Sequence, residues 1–318
     1  MLDELAPEFS IVLPAHNEAA NIAPMVTVLK SIMAKLGSVE IIFVDDGSSD
    51  GTLDALRAAA ANATVRFISF TRNFGHQAAL RAGLHRARGR AVVIMDADFE
   101  HPPELIPKLI AAWRSGAKVV VTQRIDDATQ VSMAKRFTSG AYYRLLNAIG
   151  DVSIAPGSSD YMLIDRVVVD RINCLQEHDL FVRGLVRWFG FPITTVPFPR
   201  GKRRDGDSKF AVRQMVELAI TGVAAHSVQP LRLTVWLTLL FAAFGLLLLM
   251  YSVGSFVFYK TVAGWTSILA AIAILGAAQL LVLGIIGEYV GRILRETRKR
   301  PNYIVAETER DESGNREN

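Results

Sequence analysis

The sequence is poor in the features that mark secreted, zinc-stapled or nucleic-acid-binding proteins. It has a single cysteine, Cys174, which excludes an internal disulfide and suits a reducing compartment. None of its six histidines has metal-site spacing. There is no zinc-finger spacing and no basic–aromatic pattern, and a net charge of +4 is too weak alone to argue for nucleic acid. Met1 to Phe9 contains no apolar run before a small-residue cleavage site, so residues 1 to about 228 are expected to stay where they are made. No internal repeat is visible beyond an alternation of strand and helix signals.

Charge is also missing from Leu233–Tyr259 and from Thr261–Gly287, two stretches separated only by Lys260. As helix, each would run about 40 Å against a hydrocarbon core of about 30 Å. This predicts a transmembrane hairpin rather than a pair of buried core helices, with a minimal outer loop at Lys260–Trp265. Arg292, Arg295, Arg298, Lys299 and Arg300 follow at once, and positive charge beside a span favours the cytoplasmic side. Both termini are then expected in the cytoplasm. Gly245, Gly254, Gly276 and Gly284 would allow close helix packing in a homo-oligomer.

The expected layout is a soluble domain over 1–210, a juxtamembrane amphipathic segment over 211–230, two transmembrane helices over 231–291, and a tail over 292–318. That tail is basic at first and is expected to be structureless from Glu307. Arg200, Lys202, Arg203, Arg204 and Lys209 cluster ahead of the spans. An anionic lipid or phosphate suits such a cluster beside a bilayer.

Residues 9 to 122 alternate short apolar runs with helix-type segments. The runs are Phe9–Leu13, Glu40–Val44, Val65–Phe70, Ala91–Met95 and Lys118–Thr122; between them lie Glu18–Leu36, Thr52–Ala61, His76–Arg88 and Pro103–Ser115. Repeated β-α units imply a mostly parallel sheet, and near-continuous apolar strands imply cover on both faces. Pro102-Pro103 suits a helix start.

In such sheets the ligand lies beyond the carboxyl ends of the strands. The polar clusters fall there in order: Pro14-Ala15-His16-Asn17-Glu18, Asp45-Asp46-Gly47-Ser48, Thr71-Arg72-Asn73-Phe74-Gly75 and Asp96-Ala97-Asp98. Turn and capping duties account for Asp50 or Asn17 singly but not for the whole set. Two carboxylates two residues apart at a strand end can hold Mg2+ or Mn2+ together with phosphate oxygens.

These motifs, with Pro102-Pro103-Glu104, Gly201–Lys209 and the two apolar stretches, resemble glycosyltransferase family 2, in particular its polyprenyl-phosphate branch. The resemblance covers roughly residues 8 to 300. It implies a GT-A-like α/β domain and transfer of a sugar from a nucleotide-sugar to polyprenyl phosphate at the cytoplasmic face of a membrane, here a bacterial inner membrane. By position, Pro14, Glu18, Asp45, Asp46, Asn73, Gly75, Asp96 and Ala97 correspond to the nucleotide-sugar site. Arg72 falls in the same loop as Asn73 and Gly75. Asp98 and Asp96 correspond to the Mg2+ or Mn2+ ligands, with Asp98 the principal one. Asp160, in Gly157-Ser158-Ser159-Asp160-Tyr161, corresponds to the catalytic aspartate. Arg124, Arg136, Ser139, Arg203 and Lys209 correspond to the acceptor-phosphate site, with Arg204 an alternative to Arg203. His101 departs from the Asp or Asn usual before the paired prolines.

A dianionic phosphate acceptor needs little help from a base, so Asp160 is a candidate either for direct chemistry or for orienting the acceptor. Glucose from UDP-glucose is the leading donor expectation, with mannose, N-acetylhexosamines and modified arabinose open. A processive polysaccharide synthase would carry Gln-x-x-Arg-Trp and more spans. Here Gly184-Leu185-Val186-Arg187-Trp188 lacks the glutamine. A non-catalytic scaffold is disfavoured by the intact Asp96, Asp98, Arg203 and Lys209.

Overall fold

The computed structural model describes residues 7–61, 64–125, 158–177, 181–199 and 265–309, together with scattered helical positions between 234 and 254. Strands β1 (Phe9–Ala15), β2 (Val39–Asp45), β3 (Val65–Phe70), β4 (Ala91–Ile94) and β5 (Val119–Ile125) alternate with α1 (Ala19–Met33), α2 (Thr52–Ala60), α3 (His76–Arg86) and α4 (Ile106–Arg114). A 3-10 turn at Pro103–Leu105 leads into α4, as the paired prolines predict. Then come β6 (Ser158–Asp165), α5 (Arg166–Asn173), α6 (Val182–Trp188), β7 (Ile193–Pro199), α7 (Trp265–Thr297) and β8 (Val305–Thr308).

Among the described residues the strands form one sheet in the order β7-β5-β6-β4-β1-β2-β3-β8. β1 pairs in parallel with β2 and β4, and β2 with β3. The sheet is mixed, because β6 runs antiparallel between β4 and β5, and β8 runs antiparallel to β3.

The apolar strand runs follow from burial on both faces. Ile11 and Leu13 of β1, Ile41 and Phe43 of β2 and Val93 of β4 enter the core under α1, α2 and α4. Their alternates Val12, Ile42, Val44, Val92 and Ile94 enter the core under α3, α5 and α6. Side chains on a strand alternate with a period of two, so two covers keep the middles of β1 to β4 apolar and confine polar residues such as Ser10, Glu40 and Ser69 to positions near the strand ends. That concentrates the polar chemistry at one edge.

The tail departs from expectation. Val305–Thr308 pairs with β3, setting Ile68 opposite Thr308 and Phe70 opposite Val305. Tyr303 stacks on Phe70 at 4.9 Å, and Thr71 N–H donates to the Ile304 carbonyl at 3.0 Å. Glu307 meets Arg57 at 2.6 Å. Glu309 accepts from Arg66 at 2.8 Å and from the Phe67 amide at 2.6 Å. The end of β8 and the Glu309 contacts thus replace the structureless tail expected from Glu307. An open strand edge carries unpaired backbone groups that another strand satisfies; residues 310–318 lie outside the described set.

The described residues divide into one unit holding the sheet and another holding α7. Within α7, Ile274–Gly291 has a mean hydropathy of 1.7, and Leu280 and Ile293 are exposed. Among the described residues this is the one helix long and apolar enough to cross a membrane. The expected first span, Leu233–Tyr259, lies largely outside them; Thr238–Leu247 is a shorter apolar helix.

Candidate active site

A cleft of about 370 Å3 opens at the carboxyl ends of β1, β2, β3 and β4. Pro14, Ala15, His16 and Glu18 line it from the first strand end, and Asp46 from the second. Asn73, Gly75 and His76 close another side, and Asp96, Ala97 and Asp98 come from the fourth strand end.

The first two loops are stitched together. Asp46 N–H donates to the Ala15 carbonyl at 2.9 Å, and His16 Nδ1 donates to the Asp46 carbonyl at 2.9 Å. Asn17 N–H donates to Ser48 Oγ, and Ser49 N–H returns to Asn17 Oδ1, both at 2.9 Å. Asn17 has φ 59°, a left-handed conformation that asparagine tolerates better than most residues.

Asp45 and Asp46 do different work. Asp45 is buried at 1% exposure and does not line the cleft. Its carboxylate accepts from the Ser48 amide at 3.0 Å and from Ser69 Oγ at 2.7 Å. Asp46 accepts from the Phe74 amide at 2.6 Å and the Gly75 amide at 3.0 Å, drawing the Arg72–Gly75 loop against the cleft. Gly47 makes that approach sterically feasible: it has φ 63°, and a Cβ there would sit 2.2 Å from the Arg72 carbonyl carbon. Arg72 stacks over Phe74 at 4.1 Å.

At the fourth strand end, Asp98 Oδ1 accepts from the Glu100 amide at 2.9 Å, and the intervening Phe99 has φ 65°. A left-handed aromatic residue is strained by roughly 1–3 kcal/mol and persists where the surroundings enforce it. Glu100 also meets Arg124 at 3.3 Å. Recession into the cleft raises the Asp96 carboxyl to about 6; Asp98, Asp160 and Glu100 add repulsion while His76 opposes it. Among the described residues no three ligating side chains gather as a metal cage. Two clustered carboxylates do fit a hard cation that takes its remaining oxygens from a diphosphate and water.

Asp160 stands behind His76 rather than in the cleft lining. Arg183 grips it with Nε at 2.9 Å from Oδ1 and Nη2 at 2.8 Å from Oδ2. His76 Nε2 lies 3.6 Å from Asp160 Oδ2 and 3.9 Å from Asp96 Oδ1. Burial opposes charge on Asp160, but His76 and Arg183 outweigh it and hold the carboxyl far below the usual range. Burial also works against a charged His76, and again Asp160 and Asp96 outweigh it, lifting the imidazole above its usual value.

His101 is 3% exposed. Its Nδ1 accepts from the Asp96 amide at 2.9 Å, so the ring proton sits on Nε2, 2.6 Å from Ser159 Oγ. Desolvation first, and the Arg124 charge next, lower its pKa to about 3.

The structure therefore brings Pro14, Glu18, Asp46, Asn73, Gly75, Asp96, Ala97 and Asp98 to one cleft, with Asp160 one imidazole behind it. It sets Asp45 beneath the cleft and ties Arg124 to Glu100. Arg136, Ser139, Arg203, Arg204 and Lys209 lie outside the described residues. Sequence reasoning left out His76, His101 and Arg183 as site residues. His76 was legible as the residue that follows the Thr71–Gly75 cluster and opens α3. Arg183 gave no signal, because its partner lies 23 positions away.

The model of glycosyl transferase family 2 matches residues 10–172. The uncharacterized glycosyltransferase YkcC of Bacillus subtilis is 37% identical, over 94% of this chain and 93% of its own. The bactoprenol glucosyl transferase of Shigella phage SfII is 37% identical, over 95% of this chain and 99% of its own. Among solved structures, the mannosyltransferase PcManGT from Pyrobaculum calidifontis, in complex with GDP-Man and Mn2+, is 18% identical with a TM-score of 0.48, covering 87% of both chains. The family match takes in all four polar strand ends and Asp160, and the relatives extend it along nearly the whole chain: this protein belongs to glycosyl transferase family 2 and has its GT-A-like α/β fold with a mixed sheet.

Proposed function

We propose that this protein transfers glucose from UDP-glucose to polyprenyl phosphate, with inversion at the anomeric carbon, making a lipid-linked sugar donor for the cell envelope. The observation that carries the reading is the single cleft that joins Asp96 and Asp98 to the loop held by Asp46. The near full-length similarity to a bactoprenol glucosyl transferase supports the acceptor and the sugar.

In this reading an acceptor phosphate oxygen attacks the anomeric carbon as the bond to the diphosphate oxygen breaks, and nucleoside diphosphate departs. A phosphomonoester has a second pKa near 6 and is largely dianionic at neutral pH, so the attack needs no strong base. That agrees with Asp160, whose two oxygens are taken by the Arg183 fork. Its role is then to hold His76 toward the reacting centre. Asp96 and Asp98 would hold Mg2+ or Mn2+, which neutralises charge gathering on the leaving diphosphate. Arg136, Ser139, Arg203 and Lys209, with Arg124, would bind the acceptor phosphate.

The membrane arrangement we propose is a two-span hairpin with the catalytic domain on the cytoplasmic side. It is supported by β8, which follows α7 yet pairs with β3 in the catalytic sheet. If Ile274–Gly291 crosses once, the chain has to make a second crossing between β7 and α7 to return β8 to the side it left. A reporter at Lys260 should be accessible only from outside intact cells; access from inside overturns the hairpin.

The chemistry is tested by incubating the purified full-length protein with a panel of nucleotide-sugars, polyprenyl phosphate and Mg2+ or Mn2+. UDP-glucose should give a β-linked polyprenyl phosphoglucose by NMR. An α-linked product overturns inversion, and the absence of any lipid-linked sugar overturns the acceptor. Arg203→Ala should raise the polyprenyl phosphate requirement roughly ten- to a hundredfold and leave that for nucleotide-sugar near normal.

A further inference from the structure

The backbone pairing between β4 and β6 reaches Ile94 opposite Met162. Continued two residues further, that antiparallel register would set Asp96 opposite Asp160, the carboxylate of the cation pair against the carboxylate behind the cleft. At that point a side chain takes over from the ladder. His101 accepts the Asp96 amide on Nδ1 at 2.9 Å and offers Nε2–H to Ser159 Oγ at 2.6 Å, so one imidazole links the strand ends carrying both carboxylates. The ring is held on three sides. It stacks on fully buried Tyr161 at 5.1 Å and 26°. Tyr161 in turn donates from its hydroxyl to the Pro102 carbonyl at 2.9 Å, and its amide donates to Ser159 Oγ at 3.2 Å. Pro102 is the residue next to His101, so ring, serine, tyrosine and proline close a loop of contacts between the two strand ends.

We infer that His101 and Ser159 act together as positioning residues that set the spacing between Asp96 in the cleft and Asp160, which holds His76 from behind it. The inference rests on the roles proposed above for those two carboxylates. Neither His101 nor Ser159 lines the cleft, so both act through what they hold. A side chain that reaches both strand ends is required for this. Asparagine at position 101 could accept the Asp96 amide but is too short to reach Ser159 as well.

A double-mutant cycle on the full-length protein tests this, with His101→Phe, Ser159→Ala and their combination. Phenylalanine keeps the stack on Tyr161 and removes both hydrogen bonds. Two quantities are read: kcat for sugar transfer, and the affinity of the UDP-bound enzyme for Mn2+ measured by electron paramagnetic resonance without acceptor. His101→Phe should lower kcat about thirtyfold and Ser159→Ala about tenfold, at nearly unchanged KM for UDP-glucose, and each should weaken Mn2+ binding about threefold to tenfold. The double variant should be no worse than His101→Phe alone, because both changes break the same link. Ser159→Thr, which keeps the hydroxyl, should restore most of the loss, and His101→Asn should fall between wild type and His101→Phe. Multiplicative losses in the double variant, or Ser159→Ala within twofold of wild type in both quantities, overturn the inference. A purely structural role would lower thermal stability and leave Mn2+ affinity of the folded fraction unchanged. If the wild-type protein transfers no sugar to polyprenyl phosphate, the proposed function fails, and the Mn2+ cycle still decides the role of His101.

Discussion

Asp45-Asp46 and Asp96-Ala97-Asp98 are both acidic pairs at the ends of parallel strands, yet the structure uses them in opposite ways. The first pair spends its charge on the scaffold. Asp45 takes the Ser48 amide and the Ser69 hydroxyl, and Asp46 takes two amides of the neighbouring loop. Hydrogen bonds to a charged group contribute about 1.5–3 kcal/mol each, enough to fix a loop. In the second pair burial first, and the carboxylates of Asp98, Asp160 and Glu100 next, push Asp96 up to about 6 against the pull of His76. The first pair is fully engaged in holding loops, whereas Asp96 of the second lines the cleft with a carboxyl raised above its usual value.

The sharpest way to break this comparison is Asp98→Ala. It should reduce transfer at least a thousandfold, several kcal/mol of transition-state stabilisation, with thermal stability nearly unchanged. The assay is product formation with Mg2+ or Mn2+ as sole divalent ion, and near-normal turnover would erase the distinction between the pairs.

Next come the two scaffold aspartates, which should separate from each other. Asp45→Ala leaves the Ser48 amide and Ser69 hydroxyl unsatisfied near the core, and should cost about 2–3 kcal/mol in denaturant unfolding. Asp46→Ala frees the Phe74–Gly75 amides at the cleft, and should raise KM for the nucleotide-sugar about tenfold with a smaller loss of stability. If both variants lose only stability, Asp46 does not shape the donor site.

The smallest effect sharpens the scaffold side. Asp165 caps α5 through the Val167 amide at 3.1 Å, and also accepts from Trp113 at 2.7 Å and Lys118 at 3.1 Å. Burial works against its charge, but these donors lower its carboxyl below the usual value. A depressed folded-state pKa adds stability above the unfolded value and loses it as pH falls through the folded one. Asp165→Asn should therefore cost about 1 kcal/mol at neutral pH and flatten the acid loss of stability below about pH 4. An unchanged slope would remove Asp165 from the acid-labile set.

Much of this was legible from residues alone, for a physical reason. Strands covered on both faces carry short apolar runs, so the runs within β1 to β5 and the four polar strand ends stood out. β6 did not, because it pairs between β4 and β5 while following both in sequence, and periodicity carries no information about spatial order. β8 was illegible too: Val305-Ala306-Glu307-Thr308 is short, half polar and solvent-facing, and is defined only by its pairing with β3. Asp45 and Asp46 are adjacent, and successive side chains on an extended chain turn to opposite sides. The motif located the pair without saying which of the two reaches the cleft.

β8 also sets an order of events on the ribosome. Glu307 is 250 positions beyond the Arg57 it pairs with, and at about 5–20 residues per second that gap is roughly 12–50 s of synthesis. During that interval the nascent chain carries β3 as an open edge, the kind of surface that recruits foreign strands. The strand that closes the edge emerges only after the apolar helix has been translated. Completion of the sheet thereby waits until the apolar helix has been made.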